Sequence, residues 1–221
     1  MEKKVLLIGG GAHAISVIDS IKHLKRYEIA GILDKKEKVN TYVAGVKIIG
    51  VDEELDAFYQ KGIQFAVITV GGIANAKVRR ALYDRCKKAG YHFPNIIDKD
   101  AVVSKDIKMG EGNYIGKGAI INAKAVLGNV CIVNTGVIME HETCIEDFVH
   151  LAPGSVLCGN VWVKANTHIG ANSTLLQNIR IEENVIVGAG SLVLKDLKAN
   201  RIYYGSPVKE VRRIETCNDN C

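Results

Sequence analysis

Every sixth residue from position 103 to position 193 is aliphatic or Met: Val103, Met109, Ile115, Ile121, Leu127, Val133, Met139, Ile145, Leu151, Leu157, Val163, Ile169, Leu175, Ile181, Val187 and Val193. No insertion breaks the phase. Four residues after each stands mostly a small or β-branched residue, as at Ala119, Ala125, Cys131, Val137, Thr143, Val149 and Ser155. Gly, Asn and Asp recur between them, as at Gly110, Gly116, Gly128, Asn160 and Asn166. A six-residue period of this kind is the signature of a parallel β-helix. One flat face takes one hexapeptide, its aliphatic residue points inward, and the small residues fit the corners.

Working outward to the N-terminus, strand and helix signals alternate. Residues 5–8 form an apolar run that ends in glycines, and residues 12–24 carry Ile15, Ile18 and Ile21 at helical spacing. Strands are expected at 29–33, 46–49 and 65–70, a short helix capped by Asp52 through Tyr59, and a longer helix over 74–89 stopped by Gly90. This order predicts a small parallel α/β sheet, Rossmann-like but truncated. The first turn, Gly9-Gly10-Gly11-Ala12-His13-Ala14, fits G-x-G-x-x-A, with Asp34 twenty residues after Ala14. Glycines let the backbone approach a ligand, and the helix N-terminus favours an anion, so Gly11 and Asp34 are candidate ligand contacts. The chain turns into the repeat before a second mononucleotide-binding half appears, which favours a single nucleotide or a nucleotide-sugar over NAD. Residues 1–93 are thus read as a nucleotide-sugar-binding domain and 94–221 as the β-helix with a C-terminal tail.

Composition agrees. Gly is frequent, at 22, and aromatics make up only 6%, which suits repetitive β structure better than a large aromatic core. The net charge of +5 is spread without a dense basic run, which argues against nucleic acid as a partner. No segment reads as a membrane span or signal peptide, and the expected location is the cytoplasm, with the six Cys reduced. Cys217 and Cys221 lie in a polar tail, Cys-Asn-Asp-Asn-Cys, read as a frayed terminus.

The repeat resembles the hexapeptide-repeat acyltransferases. The segment from Asn134 through Glu140-His141-Glu142 to His150-Leu151-Ala152-Pro153-Gly154, together with Gly11-Ala12-His13-Ala14 and Gly31-Ile32-Leu33-Asp34, is similar to one subfamily. That subfamily is the nucleotide-amino-sugar N-acetyltransferases of bacillosamine type, with the related sialic-acid O-acetyltransferases. The resemblance spans nearly the whole chain. It implies a left-handed β-helix of roughly five three-sided coils, about 18 residues each, a homotrimer, and acetyl-CoA as co-substrate without a metal. It implies transfer of acetyl to the amine of a nucleotide-linked sugar of the UDP-4-amino-4,6-dideoxy type.

The resemblance also implies roles. His141 is the general base, and imidazole as a residue type titrates in the range such work needs. Glu142, with Glu140 in reserve, orients it. An 18-residue coil stacks Ala123, His141, Gly159 and Gln177 on one face, so the Gly159 N–H is a candidate donor to the developing oxyanion. Asn134 and His150 match positions near acetyl-CoA, Gly188 belongs to a late CoA-groove motif, and Lys195 and Arg201 are candidates for the CoA phosphates. His13, Asp34 and Lys35 match positions near the nucleotide-sugar, and the stretch from Gly71 to Asn75, followed by Arg79, resembles the next loop. A second column runs Ile132, His150, His168, Ile186, with His168 expected at the surface. Cys144 is expected at a small inward packing position. Where the family commonly has Ile-His-Pro, this chain has Ile97-Asp98-Lys99, which puts any contact from that His in doubt. Three other readings stand beside the first: O-acetylation of a sialic acid or another sugar, a zinc-dependent carbonic-anhydrase-like trimer using His141, His150 and His168, and a non-catalytic nucleotide-sugar binder.

Overall fold

A computed structural model of the chain describes residues 3–73 and 76–214. Ala74, Asn75, Cys217 and Cys221 lie outside the described residues. The N-terminal layer is a five-stranded sheet built from β1 (Lys3–Ile8), β2 (Tyr27–Leu33), β3 (Tyr42–Val43), β4 (Val46–Gly50) and β5 (Phe65–Ile68), in the order β3-β4-β2-β1-β5. All neighbours are parallel except β3, which pairs antiparallel with β4. In β1, Val5, Leu6, Leu7 and Ile8 are each fully buried, because both faces of a central parallel strand are covered. Three α-helices accompany the sheet: α1 (Ala12–Leu24), α2 (Leu55–Gln60) and α3 (Ala76–Lys88).

Three local expectations change. Helix α1 buries Ala14, Val17, Ile18 and Ile21, whereas Ile15 is 52% exposed; the helix packs on the sheet and on the β-helix, so its buried face is turned away from Ile15. Asp52 opens a 3-10 turn (Asp52–Glu54) rather than capping α2, and Glu54 reaches back to accept the Val51 N–H at 2.9 Å. Strand β3 was not anticipated; two residues give too little period to read.

From Ile96–Ile97 to Leu192–Val193 the chain forms two-residue strands joined by tight corners. Each pairs in parallel with the strand 18 residues on, as in Ile120↔Ile138 and Ile138↔Val156. The result is a three-sided left-handed β-helix whose interior is the six-residue series read from the sequence: Ile115, Val133, Met139, Leu151, Leu157, Val163, Ile169, Leu175, Val187 and Val193 are fully buried. Corners need a residue at positive φ. One column of corners is Gly118, Gly136, Gly154, Asn172 and Gly190; another is Lys124, Glu142, Asn160 and Asn178; the third includes Gly112, Val130, Phe148, Asn166 and Asn184. Gly and Asn tolerate this region best. Stacked Asn side chains also link successive coils, Asn160 to Asn178 at 2.9 Å and Asn166 to Asn184 at 3.2 Å. Val130 (φ 53°) and Phe148 (φ 60°) do not suit it. Both are buried in a cluster with Phe93 and the α3 residue Tyr83, which compensates for their backbone cost. A hairpin of Arg201–Gly205 and Val208–Arg213 follows the last coil.

The N-terminal layer lies on one face of the prism, the face carrying Ile96, Tyr114, Ile132, His150 and His168, and buries all five. The Ser20 hydroxyl in α1 donates to the Asp98 carboxylate at 2.5 Å. Asp98, at the departure from Ile-His-Pro, is therefore a buried tie between helix and prism. Arg79 in α3 donates to the Phe148 carbonyl. His168, expected at the surface, is 6% exposed because of this covering.

Candidate active site

His141 stands on the corner that follows the Ile138–Met139 strand, with its side chain 62% exposed. The next residue, Glu142, occupies the positive-φ position (φ 60°), which turns its carboxylate back to the ring: Oε2 lies 3.4 Å from His141 Nδ1. The Glu140 carboxylate makes no hydrogen bond or ion pair among the described residues, so of the two neighbouring carboxylates only that of Glu142 approaches the ring. One coil on, Gly159 passes directly beneath the imidazole. A Cβ there would lie 2.7 Å from both Cε1 and Nε2, so the ring can rest on the next coil only because that residue is glycine. The Gly159 N–H donates to no other described group. Cys144 corrects an expectation. Its strand partner Ile145 points inward, and Cys144 faces outward, in register between Val126 and Trp162. Burial, then Glu146, pushes its thiol pKa up, opposite to what a nucleophilic thiolate needs.

The glycine turn lies at the C-terminal ends of β1 and β2, where ligands of open α/β sheets bind. Gly9 (φ 105°) donates to the Leu33 carbonyl, and Gly10 N–H donates to Asp34 Oδ2 at 2.7 Å. The Asp34 carboxylate also accepts from the Lys35 N–H at 2.7 Å and from Lys38 Nζ at 3.0 Å. Partial burial opposes the charge, but these donors hold the carboxyl below its ordinary range. Asp34 therefore braces the turn. Gly11 begins α1 with open space where a Cβ would stand. Beside the turn is a cleft of about 1180 Å³ whose walls include Gly9, Asp34, Lys35, Asn40, Val70 and Leu82.

Between layer and prism three imidazoles gather around one cation. His13, in the first turn of α1, sets its ring edge-on to Tyr114 at 5.1 Å, and its Nε2 is buried without a partner among the described residues. His150 and His168 meet Nδ1 to Nδ1 at 3.2 Å. Burial, then the Arg79 charge, lowers His13 and His168 to about 4. Burial, then His168, Arg79 and His13, lowers His150 to about 3. All three are neutral at pH 7. His141 stands on a different corner, so the three repeat-region histidines do not converge as a zinc site requires.

The model of the PglD N-terminal domain matches residues 4–86, and that of the bacterial transferase hexapeptide (six repeats) matches residues 160–195. A mutant of GDP-perosamine N-acetyltransferase from Caulobacter crescentus, solved with CoA and GDP-perosamine, is 30% identical over 95% of this chain and 97% of that chain, with a TM-score of 0.90. The chain belongs to the hexapeptide-repeat sugar N-acetyltransferases. The acetyltransferase domain of PglB from Neisseria gonorrhoeae FA1090, solved with acetyl coenzyme A, is 26% identical over 96% of this chain and 100% of that one, with a TM-score of 0.87. WeeI from Acinetobacter baumannii AYE shares the fold at 19% identity, with a TM-score of 0.81 over 95% of this chain and 100% of that one. No curated protein matches. The activity expected from the sequence, acetyl transfer from acetyl-CoA to the amine of a nucleotide-linked sugar, is that of this family, and O-acetylation recedes.

Within one chain of the acetyltransferase the expected site residues form separate groups. His141, Glu142 and Gly159 are together on one corner. His13 and His150 stand at the junction, Asp34 and Lys35 line the cleft beside the glycine turn, and Gly11 lies outside that lining, at the start of α1. Asn134 lies at the other edge of the Ile138–Met139 face, with its Oδ1 accepting the Thr135 N–H at 2.9 Å. The space a Gly188 Cβ would take is filled by the Tyr204 ring, a packing reason for that glycine. Arg79 does not reach the cleft. Sequence reasoning missed its buried position and that of His168. The 18-residue column placed His168 next to His150 but carried no sign that a second domain covers it.

Proposed function

We propose that this acetyltransferase acetylates the amine of a nucleotide-linked 4-amino-4,6-dideoxy sugar at a site completed between neighbouring copies of the chain. The observation that carries the reading is His141 seated on Gly159 with Glu142 at its Nδ1. The amine nitrogen bonds to the thioester carbonyl carbon while His141 Nε2 takes its proton, Glu142 stabilises the resulting imidazolium, and the Gly159 N–H faces the oxygen that gains charge; the C–S bond then breaks, CoA leaves as thiolate and the imidazolium can return the proton to it. No covalent enzyme intermediate is needed. His141, Gly159, Gln177 and Lys195 follow one column at 18-residue spacing, so Lys195 lies three coils from His141, roughly 14–15 Å at the spacing of paired strands. That distance suits a donor lying along the corner with its phosphates near Lys195 and Arg201, both of which line a second cavity of about 480 Å³ at the end of the prism. Asn134, His150 and Gly188 are proposed to serve the donor. Gly11, His13, Asp34 and Lys35 are proposed to serve the nucleotide-sugar.

A homotrimer supplies the missing halves. The prism face between the Asn134 corner and the His141 corner presents an outward column of Val102, Ile120, Ile138, Val156, Thr174 and Leu192, aliphatic but for Thr174, with Val102 63% exposed. A neighbouring prism packed there would close a groove along the His141 column. No helix among the described residues is long and apolar enough to cross a membrane, and the cytoplasm, where nucleotide-sugars and acetyl-CoA are available, is the proposed location. One relative of 30% identity was solved with GDP-perosamine, so guanosine replaces the uridine expected from sequence as the first nucleotide to test. The test is release of CoA thiol with GDP-, UDP- and dTDP-linked 4-amino sugars and with free sialic acid. Turnover confined to a nucleotide-linked amine is expected; turnover confined to sialic acid overturns the reading.

A further inference from the structure

Two buried imidazoles face each other one coil apart under the N-terminal layer. His150 and His168 are 8% and 6% exposed, their Nδ1 atoms are 3.2 Å apart and their rings are tilted by 70°. At that distance the two nitrogens share one proton, so one ring donates and the other accepts. Nothing in the reaction above uses His168. At the far side of its partner, His150 Nε2 is buried with no hydrogen-bond partner among the described residues. A buried polar atom in a native fold ordinarily has a partner, protein or bound. Around the pair stand His13 from α1, Arg79 from α3 and the backbone of Gly72 from the segment after β5. Burial, then the neighbouring charges with Arg79 among them, keeps both rings neutral, so each carries one ring proton.

We propose that His168 is a positioning residue that sets the tautomer of His150. Its Nδ1–H donates to His150 Nδ1, which leaves the His150 proton on Nε2 and presents that N–H to a carbonyl oxygen of the bound acetyl-CoA. This rests on the assignment of His150 to the donor. The opposite tautomer would present a lone pair, which repels a carbonyl oxygen.

The test is two-bond proton–nitrogen NMR of histidine-labelled full-length protein at neutral pH, with acetyl-CoA kinetics alongside, for wild type, His168→Asn and His168→Phe. Wild type is expected to carry the His150 proton on Nε2. Asn, whose amide can donate from nearly the same place as Nδ1, keeps that tautomer and a KM for acetyl-CoA near wild type. Phe loses the tautomer preference and raises that KM about tenfold, the loss expected for one buried hydrogen bond, with kcat at saturation changing less. A His150 proton on Nδ1 in wild type, or a tautomer that Phe leaves untouched, overturns the proposal; the wild-type spectrum decides even if the Phe variant does not fold. A tautomer that changes in Phe without raising KM overturns the assignment of His150 to the donor and leaves the His141 chemistry standing.

Discussion

At the residue scale the account depends on one imidazole resting on one glycine. Because His141 is exposed and its corner is held by backbone bonds, such as Asn160 N–H to the His141 carbonyl at 3.0 Å, its loss should separate chemistry from folding. His141→Ala should lower kcat by about 10²–10⁴, the usual worth of a general base, and leave the unfolding midpoint unchanged. Gly159→Ala probes the seat. Its methyl would overlap the imidazole, and a misplaced catalytic group can cost about 10² in rate. A fall in kcat of about that size is expected, with thermal stability close to wild type, read by steady-state kinetics and calorimetry. These residues were legible because Glu-His-Glu carries a family resemblance and the 18-residue column brings Gly159 beneath it. The turn of Glu142 toward the ring was not, since a positive φ at a Glu leaves no mark in sequence.

At the element scale, the repeat explains itself. A hexapeptide period is dense enough to fix strand register, inward residues and corners together, so the aliphatic series of the prism was readable, although Cys144, one place before the inward Ile145, was read as inward. The corners follow the same logic: Asn178 combines a φ of 64° with an acceptor for Asn160. Asn178→Ala should cost about 1–2 kcal/mol, the penalty of a left-handed conformation for a residue with an ordinary side chain, measured as a lower denaturant midpoint at constant slope. The α/β elements were less legible. Ile15 fits a helical stripe as well as Ala14 does, and only packing on two partners decides which of them is buried. Strand β3, two residues long, has no period to detect.

At the scale of the whole molecule, the N-terminal layer turns one prism face into an interior, and no local pattern announces that. It explains why Arg79, one cation on a helix, and His168, one outward repeat position, were not recognised as buried. It also has a pH consequence. His13, His150 and His168 are lowered in the folded state to about 4, about 3 and about 4, whereas unfolded histidine titrates near 6.5. Between these values the unfolded chain binds more protons, so stability rises with pH there. The histidine contribution is fully present above about pH 6.5 and is lost progressively as pH falls, through about 4 for His13 and His168 and about 3 for His150. Thermal midpoints should fall across that window. Arg79→Met, which removes a charge that depresses all three, should flatten the fall. A midpoint flat from pH 7 to 4 in the wild type would show that the junction histidines are already protonated or exposed.

The most direct measurement of the central claim is CoA thiol release on a GDP-linked 4-amino-4,6-dideoxy sugar, with both substrates saturating, for wild type and His141→Ala side by side. The account predicts turnover by the wild type and a loss of at least about 10² in the variant, with its fold intact. Near-normal turnover by His141→Ala would contradict it and remove His141 from the chemistry.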